Sequence, residues 1–366
     1  MTYVIIFAYT AIVASLLCQS KSGLIACGAV SVLLATFAAL RGSDVAFDFT
    51  VYEDWYLNRD MGVGLLERPG LFEYLYFFAN DFFSANEIQF RIFIWVLSFV
   101  AVFIKMKVIV DFAKSDLAVG VSVLIYEFTF YLLHEFTQIR VGVAIAFIFM
   151  AVRALVSGSR TSFVLLVVLA AGFHSSAVLA FMLLLPYRSY RAHWVDWGLF
   201  MIAGLLMTGF AIGVPVDAGL FDVLAKFDPR VALYISLANS GVSESANPLA
   251  ISALLLLTLA VSLFNFEFNR GVTSALNERD IYAIVLVRRS ILIGLIFLTS
   301  LSSIPELALR FFEFSIALLP ILAVIIFSQS GWVLQKYLLL LWAFVVSYIY
   351  IVRDEGLVQS YVLFFL

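Results

Sequence analysis

Residues 139–156 read IRVGVAIAFIFMAVRALV, and this stretch decides the fold. Between Arg140 and Arg153 every residue is apolar or glycine, and the run approaches the roughly 20 residues an α-helix needs to cross the hydrocarbon of a bilayer. Backbone groups in lipid must bond within the chain, so such a run is expected to be helical. Comparable runs occupy residues 3–18, 23–40, 88–104, 117–133, 162–185, 197–214, 249–266, 291–303, 307–327 and 332–351. A shorter one, 71–83, is interrupted by Glu73 and Asn80 and is too brief to span; it is expected to lie in the interface or re-enter. The fold class is therefore all-α: a polytopic transmembrane helix bundle of about 10–12 membrane segments, in one membrane domain over residues 1–366.

Composition agrees. With 64% hydrophobic and 13% charged residues, the chain has too little charge to cover a soluble surface. The net charge of −3 carries little information, because topology follows the position of Lys and Arg. Nothing supports binding of nucleic acid. Cys18 and Cys27 lie in or beside the first two apolar runs with no ligand-like neighbours, so both read as small buried thiols, neither a disulfide nor a metal site. The first run lacks a basic leader and an A-x-A site and reads as a retained helix.

Orientation rests on the basic clusters Lys21, Lys105/Lys107/Lys114, Arg153/Arg160, Arg188/Arg191, Arg270/Arg279/Arg288/Arg289 and Lys336, all assigned to the cytoplasm. If 162–185 were a single crossing, Arg188 and Arg191 would fall outside. The sequence Gly172-Phe173-His174-Ser175-Ser176 at the middle of that run offers a break into two half-helices, a re-entrant hairpin that restores parity. Thirteen of the 22 basic residues then lie inside and both termini are periplasmic. The two long outside loops fall near 41–70 and 215–248. In the first, Asp48, Tyr52 and Tyr56 recur at steps of four, one helical face suited to stacking on sugar rings or to an interfacial aromatic belt.

A charged side chain at the bilayer centre costs about 2.5 to 3.5 kcal/mol on the insertion scale, so each one needs a partner or a function. Arg140 opens its span just after His134, Glu135 and Gln138. Arg310 and Glu313 sit one turn apart in the 307–327 run, on one helical face. Glu127 lies within the preceding span and reads as a buried structural partner; His174 sits in the broken run. Each has a structural reading: snorkelling for Arg140, an ion pair for Arg310 with Glu313, an interhelical hydrogen bond for His174. Together they suit a pyrophosphate-bearing lipid, because guanidinium offers permanent charge and bidentate geometry to phosphate oxygens.

Arg41-Gly42 followed by Asp48-x-x-x-Tyr52, Gln138-Ile139-Arg140 with Ala144, Gly172-Phe173-His174-Ser175-Ser176-Ala177, and Leu309-Arg310-Phe311-Phe312 leading to Pro320 together resemble the EpsG-like family. These are Wzy-type polymerases of O-antigen, capsular or exopolysaccharide repeat units. The family pattern usually carries Gln after the arginine and Pro between the histidine and serine; here Val141 and Ser175 stand there. The resemblance implies a glycosyltransferase of the bacterial inner membrane whose active site faces the periplasm; the residues themselves offer no Asp-x-Asp in an exposed loop and no His/Cys grouping, so no metal or other cofactor is expected. It would move a growing glycan from its undecaprenyl pyrophosphate carrier onto the end of a lipid-linked repeat. Arg140 and Arg310 would hold the leaving pyrophosphate, and His174 would act as general base or orienting residue. Arg41, Asp48, Tyr52, Glu135 and Glu313 would bind substrate, with Asp48 and Tyr52 holding the acceptor sugar or serving as an alternative base. Partners would be the polyprenyl-pyrophosphate-linked oligosaccharide, membrane lipid and a chain-length regulator protein. A flippase or other transporter, or an O-antigen ligase, remains the alternative. A cytoplasmic hairpin also sets His174 at mid-membrane while the pyrophosphate belongs near the outer surface, so a wet cavity must reach down to it.

Overall fold

The computed structural model describes residues 23–41, 47–57, 73–184, 193–213, 232–233, 235–236, 246–268 and 276–349. The expected first helix, Cys18, Arg188, Arg191 and most of the 215–248 loop lie outside them. Among the described residues there is no strand, and six helices are long and apolar enough to span a membrane, with five shorter apolar ones beside them. The protein is an all-α polytopic bundle.

The described residues fall into two compact units. The first holds those up to Ala177 and those from Leu319 onward. Its helices are α1 (Gly23–Ala39), α2 (Phe47–Leu57), α3 (Tyr74–Ala85), α4 (Phe90–Phe112), α5 (Asp116–His134), α6 (Ile139–Val156) and α7 (Arg160–Phe173). A 3₁₀ helix, Ser175–Leu184, runs on from α7 across the unit boundary. In the second unit follow α8 (His193–Ala211), α9 (Ile251–Phe268), α10 (Glu278–Ser300) and α11 (Pro305–Ile316). The chain then returns to the first unit as α12 (Leu319–Phe327) and α13 (Val333–Tyr348).

Helix α6 matches the quoted apolar run at both ends. In the first unit α4 is the central post, packing on α1, α6 and α12, while α7 lies along α6 and meets α3. The ring-rich core between α2, α3, α4 and α6 includes Phe49, Tyr52, Tyr56, Tyr76, Phe93 and Ile139. Two bonds from Arg91 Nη1, to the carbonyls of Ala39 at 2.7 Å and Arg41 at 2.8 Å, tie the end of α1 to the start of α4. Helix α5 is interrupted by a π turn at Glu127–Tyr131, the kind of local widening often found near functional sites. The carbonyl of Phe128 in this turn accepts from Ser347 Oγ at 3.3 Å. Glu127 is fully buried, but neither of its carboxylate oxygens has a hydrogen-bond partner among the described residues; the structural partner expected for it is not found there.

Three charge assignments need correction. Lys105, Arg288 and Arg289, counted with the cytoplasmic loops, are all buried inside helices, Lys105 in α4 and the arginines in α10. Each has a carboxylate partner, so helix continues through residues that a hydropathy window treats as an end. Three of the thirteen residues behind the orientation argument are thereby withdrawn. Arg153 and Asp111, both assigned to the cytoplasmic side, do meet at 2.9 Å.

Candidate active site

Helix α7 ends where the sequence breaks. His174 caps it with extended backbone (φ −154°, ψ 127°), and the chain continues as the 3₁₀ helix. Helix α3 can approach this corner because residue 172 is glycine: a β-carbon there would fall 2.5 Å from Leu75 Cδ1 and 3.1 Å from its Cβ. Two residues before Leu75, Glu73 precedes α3 as its N-cap and is buried to 1% exposure.

Glu73 joins the candidate residues. Its Oε2 accepts from Arg140 Nη1 at 2.8 Å. Its Oε1 lies 3.3 Å from His174 Nδ1 and accepts from the backbone N–H and hydroxyl of Ser175 at 3.4 and 3.5 Å. Ser175 stands where the family pattern carries proline, and proline has no N–H to donate. Arg140 and His174 therefore share one carboxylate.

Aromatic rings wall the guanidinium. Arg140 Cζ lies 5.4 Å from the Tyr52 ring centroid, 4.9 Å from Trp55 and 5.5 Å from Tyr76, and Tyr52 also hydrogen-bonds it. Rings at such distances hold a cation by its attraction to their faces. The Arg140 side chain keeps 14% exposure, and its buried Nε has no hydrogen-bond partner among the described residues.

The remaining sequence candidates are placed as follows. Asp48 lies half-buried on α2, on the same helix as Tyr52. Arg41 is buried at the end of α1, donating to the Ala38 carbonyl at 2.6 Å with its guanidinium 4.6 Å from the Phe49 ring and 5.3 Å from Phe136; a cation there suits the negative end of the helix. Glu135 is fully buried and paired with Lys105. Arg310 and Glu313 are half-buried on α11 in the second unit, within electrostatic reach of each other. Glu73 was legible only as an acid spoiling an apolar run. Among the described residues no three His, Cys, Asp or Glu side chains group as metal ligands would.

This charged, ring-walled centre lies within a multi-pass helical membrane protein. The family model described as EpsG family matches residues 24–363, nearly the whole chain, and the chain belongs to that family. Membership supports a polysaccharide-polymerase-like role. No curated protein and no solved structure matches.

Proposed function

We propose that the protein polymerises undecaprenyl-pyrophosphate-linked oligosaccharide repeat units at the periplasmic face of the bacterial inner membrane. The observation that carries this reading is the convergence of Arg140 and His174 on Glu73. In the proposed reaction the acceptor sugar hydroxyl attacks the anomeric carbon of the donor glycan, the carbon–oxygen bond to pyrophosphate breaks, and the hydroxyl proton passes to His174 Nε2. Pyrophosphate is already a good leaving group, so the protein supplies charge stabilisation and hydroxyl activation. Arg140 provides the first through donors that Glu73 leaves free. Glu73, on the Nδ1 side, orients the imidazole and stabilises the imidazolium that forms. The cluster of Tyr52, Trp55 and Tyr76 keeps water from the centre and presents ring faces to sugar.

The test is electrophoresis of surface polysaccharide from cells lacking the gene and from cells carrying Arg140→Ala or Arg310→Ala. A polymerase leaves a single repeat unit on its acceptor and no ladder; loss of every repeat indicates a flippase or ligase instead. Arg140→Ala is expected to abolish the ladder with the protein still in the membrane, and a normal ladder would defeat the assignment. Arg310→Ala reads the second unit's contribution in the same gel.

A further inference from the structure

The proposed chemistry leaves unused the pair between Lys105 of α4 and Glu135, in the turn from α5 to α6. Both are fully buried, and Lys105 Nζ lies 5.5 Å over the Tyr126 ring. Stability alone does not account for such a pair, since apolar residues of similar volume often do as well. Its location is more informative. The Glu135 carboxylate rests on the first turn of α6: a β-carbon on Gly142 would come 3.1 Å from Oε1, and 3.3 Å from the backbone carbon of His134. Glycine at 142 lets the acid seat there, two residues beyond Arg140.

The turn itself is tightly held. The backbone N–H groups of Glu135 and Phe136 both donate to the Tyr131 carbonyl at 3.0 Å, and that of Gln138 donates to Leu133 at 3.0 Å. Gln138, the N-cap of α6, makes no side-chain capping bond, and the carboxylate of Glu135 brings negative charge to this positive helix end. Central helix α4, through Lys105, thus grips the point where α6 begins. A guanidinium displaced by an ångström loses most of its value to a reacting group.

We infer that Lys105 and Glu135 are a positioning pair for Arg140, fixing the first turn of α6 so that the guanidinium meets both Glu73 and an incoming diphosphate. This rests on the reading of Arg140 as a diphosphate-binding group. The test uses the purified full chain, inorganic pyrophosphate as probe, calorimetric titration for affinity and a thermal melt for folding.

Arg140→Gln sets the reference and is expected to abolish binding; wild-type affinity in that variant overturns the diphosphate reading and this inference with it. The paired substitution Lys105→Met with Glu135→Gln removes both charges together and strands neither. It is expected to melt like the wild type and to bind pyrophosphate about tenfold more weakly or worse. Unchanged affinity in the folded pair, with Arg140→Gln defective, overturns the positioning role alone. Gly142→Ala keeps both charges but lifts the carboxylate from its seat. Weakened binding at an unchanged melting temperature supports the role, and unchanged affinity overturns it even where the paired variant fails to accumulate.

Discussion

Each compact unit buries an arginine–carboxylate centre, and the two are built on different plans. In the first, the single carboxylate of Glu73 serves a guanidinium, an imidazole and the donors of Ser175, and the Arg140 side chain keeps some exposure. In the second, Asp196 of α8 gives one oxygen to each of two guanidiniums of α10, Arg288 Nη2 at 2.5 Å and Arg289 Nε. All three are buried, and Arg288 lies 4.1 Å over the Phe264 ring of α9. The second centre clamps α8 and α9 to α10. The difference lies in access: the Arg140 side chain keeps 14% exposure, while Arg288 and Arg289 keep almost none.

The largest expected effect tests the clamp. Asp196→Ala strands two guanidiniums in the interior and should destabilise the protein by about 3–5 kcal/mol, read as protein lost from the membrane fraction or as a depressed Tm. A wild-type Tm would erase the difference between the centres. Glu73→Gln should do the reverse: the protein accumulates, while glycan transfer falls about 100-fold because Arg140 and His174 lose their common anchor. Transfer at the wild-type rate would make Glu73 another clamp. Smallest is Gly172→Ala, which drives a methyl group into Leu75 and should cost about 1–3 kcal/mol of stability. A Tm unchanged by this substitution would mean that α3 is not wedged against α7.

The bundle was legible because lipid tolerates so few alternatives: α6 coincides with its apolar run, and α7 breaks at His174 as the Gly-Phe-His-Ser-Ser sequence suggested. What the sequence hid were partners. Lys105 pairs 30 residues away and Arg288 with a carboxylate 92 residues away, so a local window sees only a charge and ends the helix. Glu73 is 67 residues from Arg140, and in its own neighbourhood it looks like an acid that prevents a span. Arg140 and His174 could be picked out by residue type and position; the acid that unites them could be found only from tertiary contacts.

The widened turn in α5 has its own bearing on Glu135. A π turn absorbs one surplus residue while the flanking helix stays in phase. Were residues 127–131 wound as ordinary α-helix at full length, everything after them would swing by about 100° and advance by about 1.5 Å. Glu135 would then aim past Lys105. A chain shortened by one residue within this turn keeps the aim instead, so the length of α5 has slack of one residue at this place and a single deletion there leaves the start of α6 undisturbed.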